Sequence, residues 1–174
     1  MPGEFALIYK YFARPTPSAI LGPGDDCALL QPTPGKQLAI TTDMLVAGTH
    51  FLPDTDPHNL GWKALAVNLS DLAAMGATPR WVLLAGSLPA VDEPWIANFA
   101  DGFFACAAEY NVDVVGGDMT RGPLNLCITA LGECAPGQAL RRDGAHTGDL
   151  VWVSGRPGLA SLGLAQLQGK IELP

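Results

Sequence analysis

The chain is 174 residues long, with 48% hydrophobic residues, 16% charged residues and a formal net charge of -7 from 10 basic and 17 acidic side chains. That length is one domain or slightly more, and the apolar fraction is enough for a sizeable core, which excludes a disordered acidic chain. No run of Lys or Arg is longer than Arg141-Arg142, which argues against nucleic acid or an anionic membrane surface as the main partner.

Gly3 to Phe12 reads as a short helix with apolar Phe5, Leu7, Ile8, Tyr11 and Phe12, and Pro15, Pro17 and Pro23 then make a loop. Leu38 to Thr42 is a strand ending in Asp43. Asp56-Pro57 opens an apolar helix, with Asp as N-cap and Pro at its first position, and Gly76 closes it. Lys63, Asn68, Ser70 and Asp71 fall within an arc of roughly 160° on that helix, which predicts one polar side. Trp81 to Leu88 is a strand, and Asp92 caps a second helix whose Ile96, Phe99, Phe103, Cys106 and Tyr110 form a core stripe. Val112 to Val115 is a strand running into a Gly116-Gly117 turn and Asp118. Leu124 to Leu131 and Asp149 to Ser154 are two more strands, and Leu159 to Leu167 is a last helix. This order predicts a mixed α/β (α+β) domain, one sheet covered by helices.

The four cysteines show no C-x-x-C spacing, and Glu4 and Lys10 stand within an N-terminal helical pattern rather than a secretory leader. Reduced thiols in a cytoplasmic protein are the expectation. No apolar stretch reaches the roughly 18 residues of a membrane-spanning helix.

The acids divide into 12 Asp and 5 Glu, and part of that excess is the ordinary use of Asp in caps and turns. Four positions stand apart: Asp25-Asp26 after Gly24, Asp43 after Thr41-Thr42, Asp118 after Gly116-Gly117, and Asp71 on the polar side of an apolar helix. A carboxylate beside apolar elements must be neutralised, and Lys and Arg are too scarce to pair them all. Oxygen donors from Asp and Thr suit Mg²⁺ better than metals that take His and Cys. Caps and turns remain the other reading of the same residues. Mg²⁺ on few carboxylates keeps positions for water and phosphate oxygens, and Gly116-Gly117 lets a backbone approach a phosphate closely. Neither G-x-x-x-x-G-K-[ST] nor G-x-G-x-x-G is present, so a phosphate site here uses another scaffold.

In this order, the residues strongly resemble the thiamine-monophosphate kinase family, within the aminoimidazole ribonucleotide synthetase superfamily. The similarity runs from Gly3-Glu4-Phe5-Ala6-Leu7-Ile8 through Gly24-Asp25-Asp26-Cys27-Ala28, Thr41-Thr42-Asp43 and Gly48-Thr49-His50-Phe51. It continues through the block from Lys63 to Ala77, then Gly116-Gly117-Asp118, Thr120-Arg121-Gly122-Pro123-Leu124, Arg142, Gly144-Ala145 and Gly148-Asp149. Met44, Met119 and Pro23 depart from residues common in the family.

The resemblance implies transfer of the γ-phosphoryl of ATP to thiamine monophosphate, giving thiamine diphosphate. It implies that Asp26, Thr41, Thr42, Asp43, Asp71 and Asp118 ligate several Mg²⁺ ions, with Asp25 as a further ligand or a support to one. It places His50 on the thiamine phosphate, Gly117 and Asp118 against ATP, and Arg142 on the ATP phosphates. Taken alone, His50 and Arg142 read as loop residues, Arg121 as an equal candidate for phosphate, Lys63 as a partner for Asp71, and Cys27 as a packing thiol. The resemblance further implies a homodimer whose strands join in a shared β-barrel. It divides the chain into an ATP- and Mg²⁺-binding domain over residues 1–150 and the start of a C-terminal domain over 151–174. Two alternatives stand beside it: a superfamily enzyme with another phosphate acceptor, and a non-catalytic dimerisation and partial nucleotide-binding module.

Overall fold

The two long helices begin where Asp can cap and Pro can start. In the computed structural model, which describes residues 4–172, α2 (Pro57–Ala74) has Asp56 accepting the Asn59 N–H at 2.9 Å, and α3 (Glu93–Glu109) has Asp92 accepting the Trp95 N–H at 3.1 Å. Each carboxylate satisfies an N–H that the first turn cannot. Gly76 ends α2 at φ +68°, the left-handed conformation in which glycine carries no steric penalty.

The helices pack backbone against backbone. A Cβ on Gly61 would meet the Phe99 carbonyl oxygen, and one on Gly102 would meet the His58 carbonyl oxygen. Together they cover one face of a sheet formed by β1 (Gln37–Val46), β2 (Thr78–Leu88), β3 (Asp113–Arg121) and β4 (Asn125–Cys134). The strand order is β1-β4-β2-β3; β4 is antiparallel to both neighbours, whereas β2 and β3 are parallel and joined through α3. Leu45, Val82, Leu84, Leu126 and Ile128 are buried on the helix side with Leu60, Leu65, Phe99 and Phe103. Each such side chain contributes about 1.5–3 kcal/mol relative to exposure.

The opposite, outer face is only partly covered. Ile40 and Met44 stay 63% and 55% exposed there, whereas Trp81 is fully buried beneath the N-terminal segment. That segment begins with α1 (Glu4–Leu7), which continues as a π-helical turn, Ile8–Phe12. Lys10 and Tyr11 both donate to Glu93 Oε2, at 2.5 and 2.7 Å, and tie the turn to the start of α3. These bonds hold the Glu93 carboxyl below its usual range and the Lys10 ammonium above its own.

Several sequence expectations need correction. β1 runs past Asp43 to Val46, because Met44, Leu45 and Val46 keep pairing with Cys127, Leu126 and Asn125. Gly116-Gly117 lies inside β3 and makes no turn. Asn68 is fully buried, donating from Nδ2 to the Ala64 carbonyl at 3.1 Å, so it leaves the polar side of α2 to Lys63, Ser70 and Asp71. Tyr110 is the C-cap of α3 and 47% exposed, outside the core stripe. Residues 149–154 form no strand: Val151 and Trp152 are 100% and 84% exposed, and this β-forming run has no neighbour to pair with among the described residues. Gly3, the first residue of the expected N-terminal helix, lies outside the described residues.

The chain divides into two compact units between Leu140 and Arg141. The second contains α4 (Leu159–Leu167), which starts after Gly158 and, as expected, spans these residues. Among the described residues no helix is long and apolar enough to cross a membrane.

Because the α2–α3 contact leaves no room for a Cβ, Gly102→Ala is expected to lower unfolding stability by about 1–3 kcal/mol through overpacking. An unchanged denaturant midpoint for that variant would contradict the contact.

Candidate functional site

Between the π-helical turn and β1 the chain crosses the outer sheet face as a strap. Leu29 N–H donates to the Leu21 carbonyl at 2.9 Å and Leu21 N–H to the Leu29 carbonyl at 3.2 Å, pinching off a tip that carries Gly22-Pro23-Gly24-Asp25-Asp26. Gly24 has φ +129°, open to glycine alone among common residues, and the Asp26 N–H donates to Asp25 Oδ1 at 2.8 Å. The strap and sheet enclose a cleft of about 790 Å³ lined by Tyr9, Asp25, Asp26, Leu83, Gly116, Gly117, Asp118, Cys127 and Thr129, among others.

Glycine shapes the sheet side of this cleft. Val82 pairs with Val114 but Leu83 with Gly116, so Val115 is an extra residue that bulges β3. Gly117 follows at φ +154°, and a Cβ there would meet the Leu84 carbonyl oxygen. The backbone of β3 therefore lies close against β2 and presents an uncluttered surface just before Asp118. Asp118 is level with Ala85, on the outer face, as strand alternation requires.

The remaining expected site residues gather elsewhere. Thr41 Oγ1 donates to Asp71 Oδ2 at 2.8 Å, joining β1 to α2, and Asp43 follows two residues on along the same side of β1. Thr42 points the other way: its hydroxyl donates to the Ile128 carbonyl at 3.0 Å and lies 3.1 Å from Thr129 Oγ1. Asp43 is level with Ile128, Ile128 with Leu84, and Leu84 with Gly117. Three strand spacings, about 14 Å, separate Asp43 from that end of the row. The structure thus brings Asp25, Asp26, Gly117 and Asp118 together at the cleft, and Thr41, Asp43 and Asp71 together on the helix side of the opposite edge.

His50 is exposed in the turn after β1, where its Nδ1 accepts the Val46 N–H at 3.1 Å, leaving Nε2 as the ring nitrogen able to meet a ligand. Lys63 donates to the His50 carbonyl at 2.5 Å, so the expected pairing with Asp71 is replaced by a tie to the histidine turn. Arg121, at the end of β3, is exposed. Arg142 is exposed in the second unit. Cys27 is exposed at the cleft and is no packing thiol. Tyr9 and Thr129 escaped sequence reasoning, since only the folded strap and the alternation of β4 reveal which way they face.

Among the described residues no three His, Cys, Asp or Glu side chains stand close enough to hold a metal ion alone. The cleft's carboxylates and threonine hydroxyl nevertheless suit a hard cation that binds few protein oxygens and completes its shell with phosphate and water. Mg²⁺ carried in by a nucleotide fits that donor set.

Comparison with known proteins gives a consistent picture. Residues 24–134 match the family of AIR synthase related protein, N-terminal domain. The chain is 52% identical to the thiamine-monophosphate kinase of Salmonella typhimurium over 98% of its own length and 54% of that protein. The crystal structure of thiamine-monophosphate kinase from Stenotrophomonas maltophilia K279a superposes with a TM-score of 0.87 at 52% identity, over 98% of this chain and 55% of that one. The structure of AaThiL complexed with AMPPCP and TMP superposes with a TM-score of 0.75 at 33% identity, over 99% of this chain and 54% of that one. The chain spans about half the length of the curated relatives it matches.

The environments of the thiols give a direct check on the cleft. Burial, with the Glu109 carboxylate nearby, pushes the Cys106 thiol up to about 11, so near pH 8 it stays protonated and unreactive. An alkylating reagent at that pH is expected to modify exposed Cys27 first and to reach Cys106 only after unfolding, with peptide mass mapping as the measurement. Early modification of Cys106 would contradict the packing of α3.

Proposed function

The chain belongs to the AIR synthase related protein family, N-terminal domain, and from that premise we propose that it is the N-terminal part of a kinase that moves the γ-phosphoryl of ATP onto thiamine monophosphate, giving thiamine diphosphate. One observation carries the reading: a glycine-backed strand bearing Asp118 faces a glycine loop bearing Asp25 and Asp26 across one cleft. The 52% identity to a thiamine-monophosphate kinase supports this acceptor, as does a structural relative holding AMPPCP, an ATP analogue, together with TMP.

Phosphoryl transfer asks a protein mainly to position two anions in line and to offset charge on the transferring oxygens. Bound Mg²⁺ would supply that positive charge. Asp26 and Asp118 would hold it from the two walls of the cleft, with Asp25 oriented beside Asp26. Gly117 would let phosphate oxygens approach the β3 backbone. Thr41 holds one oxygen of Asp71 and leaves the other free, so Asp71 and Asp43, with Thr42 on the cleft-facing side, would serve further Mg²⁺ ions. His50, fixed through Nδ1, would turn Nε2 to the thiamine phosphate, and Arg142 is the candidate partner for the ATP phosphates.

The same reading takes residues 1–150 as the ATP- and Mg²⁺-binding domain and 151–174 as the start of a C-terminal domain. It places the enzyme in the cytoplasm. The apolar outer edge of β1, with Ile40 and Met44 exposed, suits a homodimer in which a second copy's strands continue the sheet into a shared barrel.

Thiamine diphosphate formation, followed by chromatography, tests the proposal in this chain and in the chain joined to the C-terminal half of a relative. Turnover is expected in the joined form, and Asp26→Asn, Asp43→Asn or Asp71→Asn should each reduce it at least about 100-fold while preserving the circular dichroism spectrum. Turnover of another phosphate acceptor alone would redirect the assignment within the superfamily.

A further inference from the structure

Two carboxylates outside the cleft hold the feet of the strap. At one foot, Asp113 Oδ2 accepts both the Ser18 N–H at 2.7 Å and the Ser18 hydroxyl at 2.5 Å, while the Ser18 carbonyl accepts the Trp81 indole N–H at 3.2 Å. All three polar groups of Ser18 are thereby engaged. At the other foot, Glu133 accepts the Thr33 N–H on Oε1 at 2.6 Å and the Thr33 hydroxyl on Oε2 at 2.7 Å. Two sheet carboxylates thus grip the strap with the same chemistry, each taking the N–H and hydroxyl of one residue.

Both ties are part-buried: fully buried Trp81 backs one, and Glu133, only 7% exposed, makes the other with an exposed Thr33. Burial raises the Glu133 carboxyl, but the two bonds from Thr33, with Arg80 and Lys36 nearby, outweigh it and hold the group below its ordinary range. Asp113 opens the strand that carries Asp118, about 15 Å further along at the rise of an extended chain. Trp81 and Glu133 belong to β2 and β4, the strands that floor the cleft. The loop carrying Asp25 and Asp26 is therefore referenced to the same strands as the carboxylate it faces.

We propose that Asp113 and Glu133 are positioning residues that clamp Ser18 and Thr33, fix Asp25 and Asp26 relative to Asp118, and so set the affinity of the cleft for a metal–nucleoside triphosphate. The affinity half rests on the nucleotide reading above; the clamp half does not. Neither carboxylate lines the cleft, and the strap is the cleft-forming segment that both of them hold.

Exposed Cys27, next to Asp26, carries a nitroxide reporter in a Cys127→Ser background, and Mn²⁺–ATP affinity is measured on unlabelled protein by loss of the free Mn²⁺ signal. Asp113→Ala and Glu133→Ala are expected to add a mobile component to the nitroxide spectrum and to weaken Mn²⁺–ATP by about 10- to 100-fold, the usual loss when a support to a metal ligand is removed. Ser18→Thr, which keeps both donors, should retain the immobile spectrum and the affinity. Should Asp113→Ala fail to fold, Ser18→Ala, which removes one hydroxyl, carries the same comparison. An immobile tip in the alanine variants would overturn the clamp, and a mobile tip with unchanged affinity would overturn the positioning role. If the unaltered chain binds no Mn²⁺–ATP, the nucleotide reading and the affinity half fail together, while the nitroxide spectra still decide the clamp.

Discussion

The structure depends on the close contact of α2 with α3, where Gly61 and Gly102 let backbone meet backbone. With the helices this near, their side chains reach one face of the sheet together and bury Val82, Leu84, Leu126 and Ile128 beneath Phe99 and Phe103. Both long helices are spent on that face. The other is left to a strap without regular structure, and a loop over a sheet leaves gaps that two close-packed layers would not. The cleft is one such gap, and its position follows from how the helical layer is built.

Carboxylates could not occupy the helix-packed core without partners, since burying an unpaired charge is too costly. They appear instead where the sheet meets solvent: Asp118 on the outer face of β3, Asp25 and Asp26 at the strap tip, Asp43 and Asp71 at the β1 edge. The two half-buried or buried acids that do lie under the strap, Asp113 and Glu133, each take two hydrogen bonds from it. The acidic excess of the chain thus divides by environment: satisfied carboxylates hold the scaffold, and the open ones are those that the proposed function assigns to a cation.

Local chemistry was readable from the sequence and long-range geometry was not. Asp56-Pro57 and Asp92 marked both helix starts because a cap acts within one turn, and the stripe from Ile96 to Cys106 marked the buried side of α3. Gly116-Gly117 reads as a turn in sequence because a β-bulge and a turn use glycine alike, and only pairing with Leu83 and Leu84 separates them. Asp43 reads as a strand end because the pairing of Met44 to Val46 with β4 depends on residues some eighty positions away. Strand alternation also sends adjacent Thr41 and Thr42 to opposite faces, the first to Asp71 and the second to the Ile128 carbonyl, a split that shows only once β1 is placed in the sheet. The clamps at Ser18 and Thr33 carry no local signature, since each joins residues about a hundred positions apart.

On the proposed function, the strap tip and β3 together hold the metal-bearing phosphates of a nucleotide. A crystal structure of the chain with Mg²⁺ and a non-hydrolysable ATP analogue tests it most directly. Metal density bonded to Asp26 and Asp118, with phosphate oxygens against Gly117, is the expected result. Nucleotide bound away from the strap, with both carboxylates facing bulk water, would contradict it.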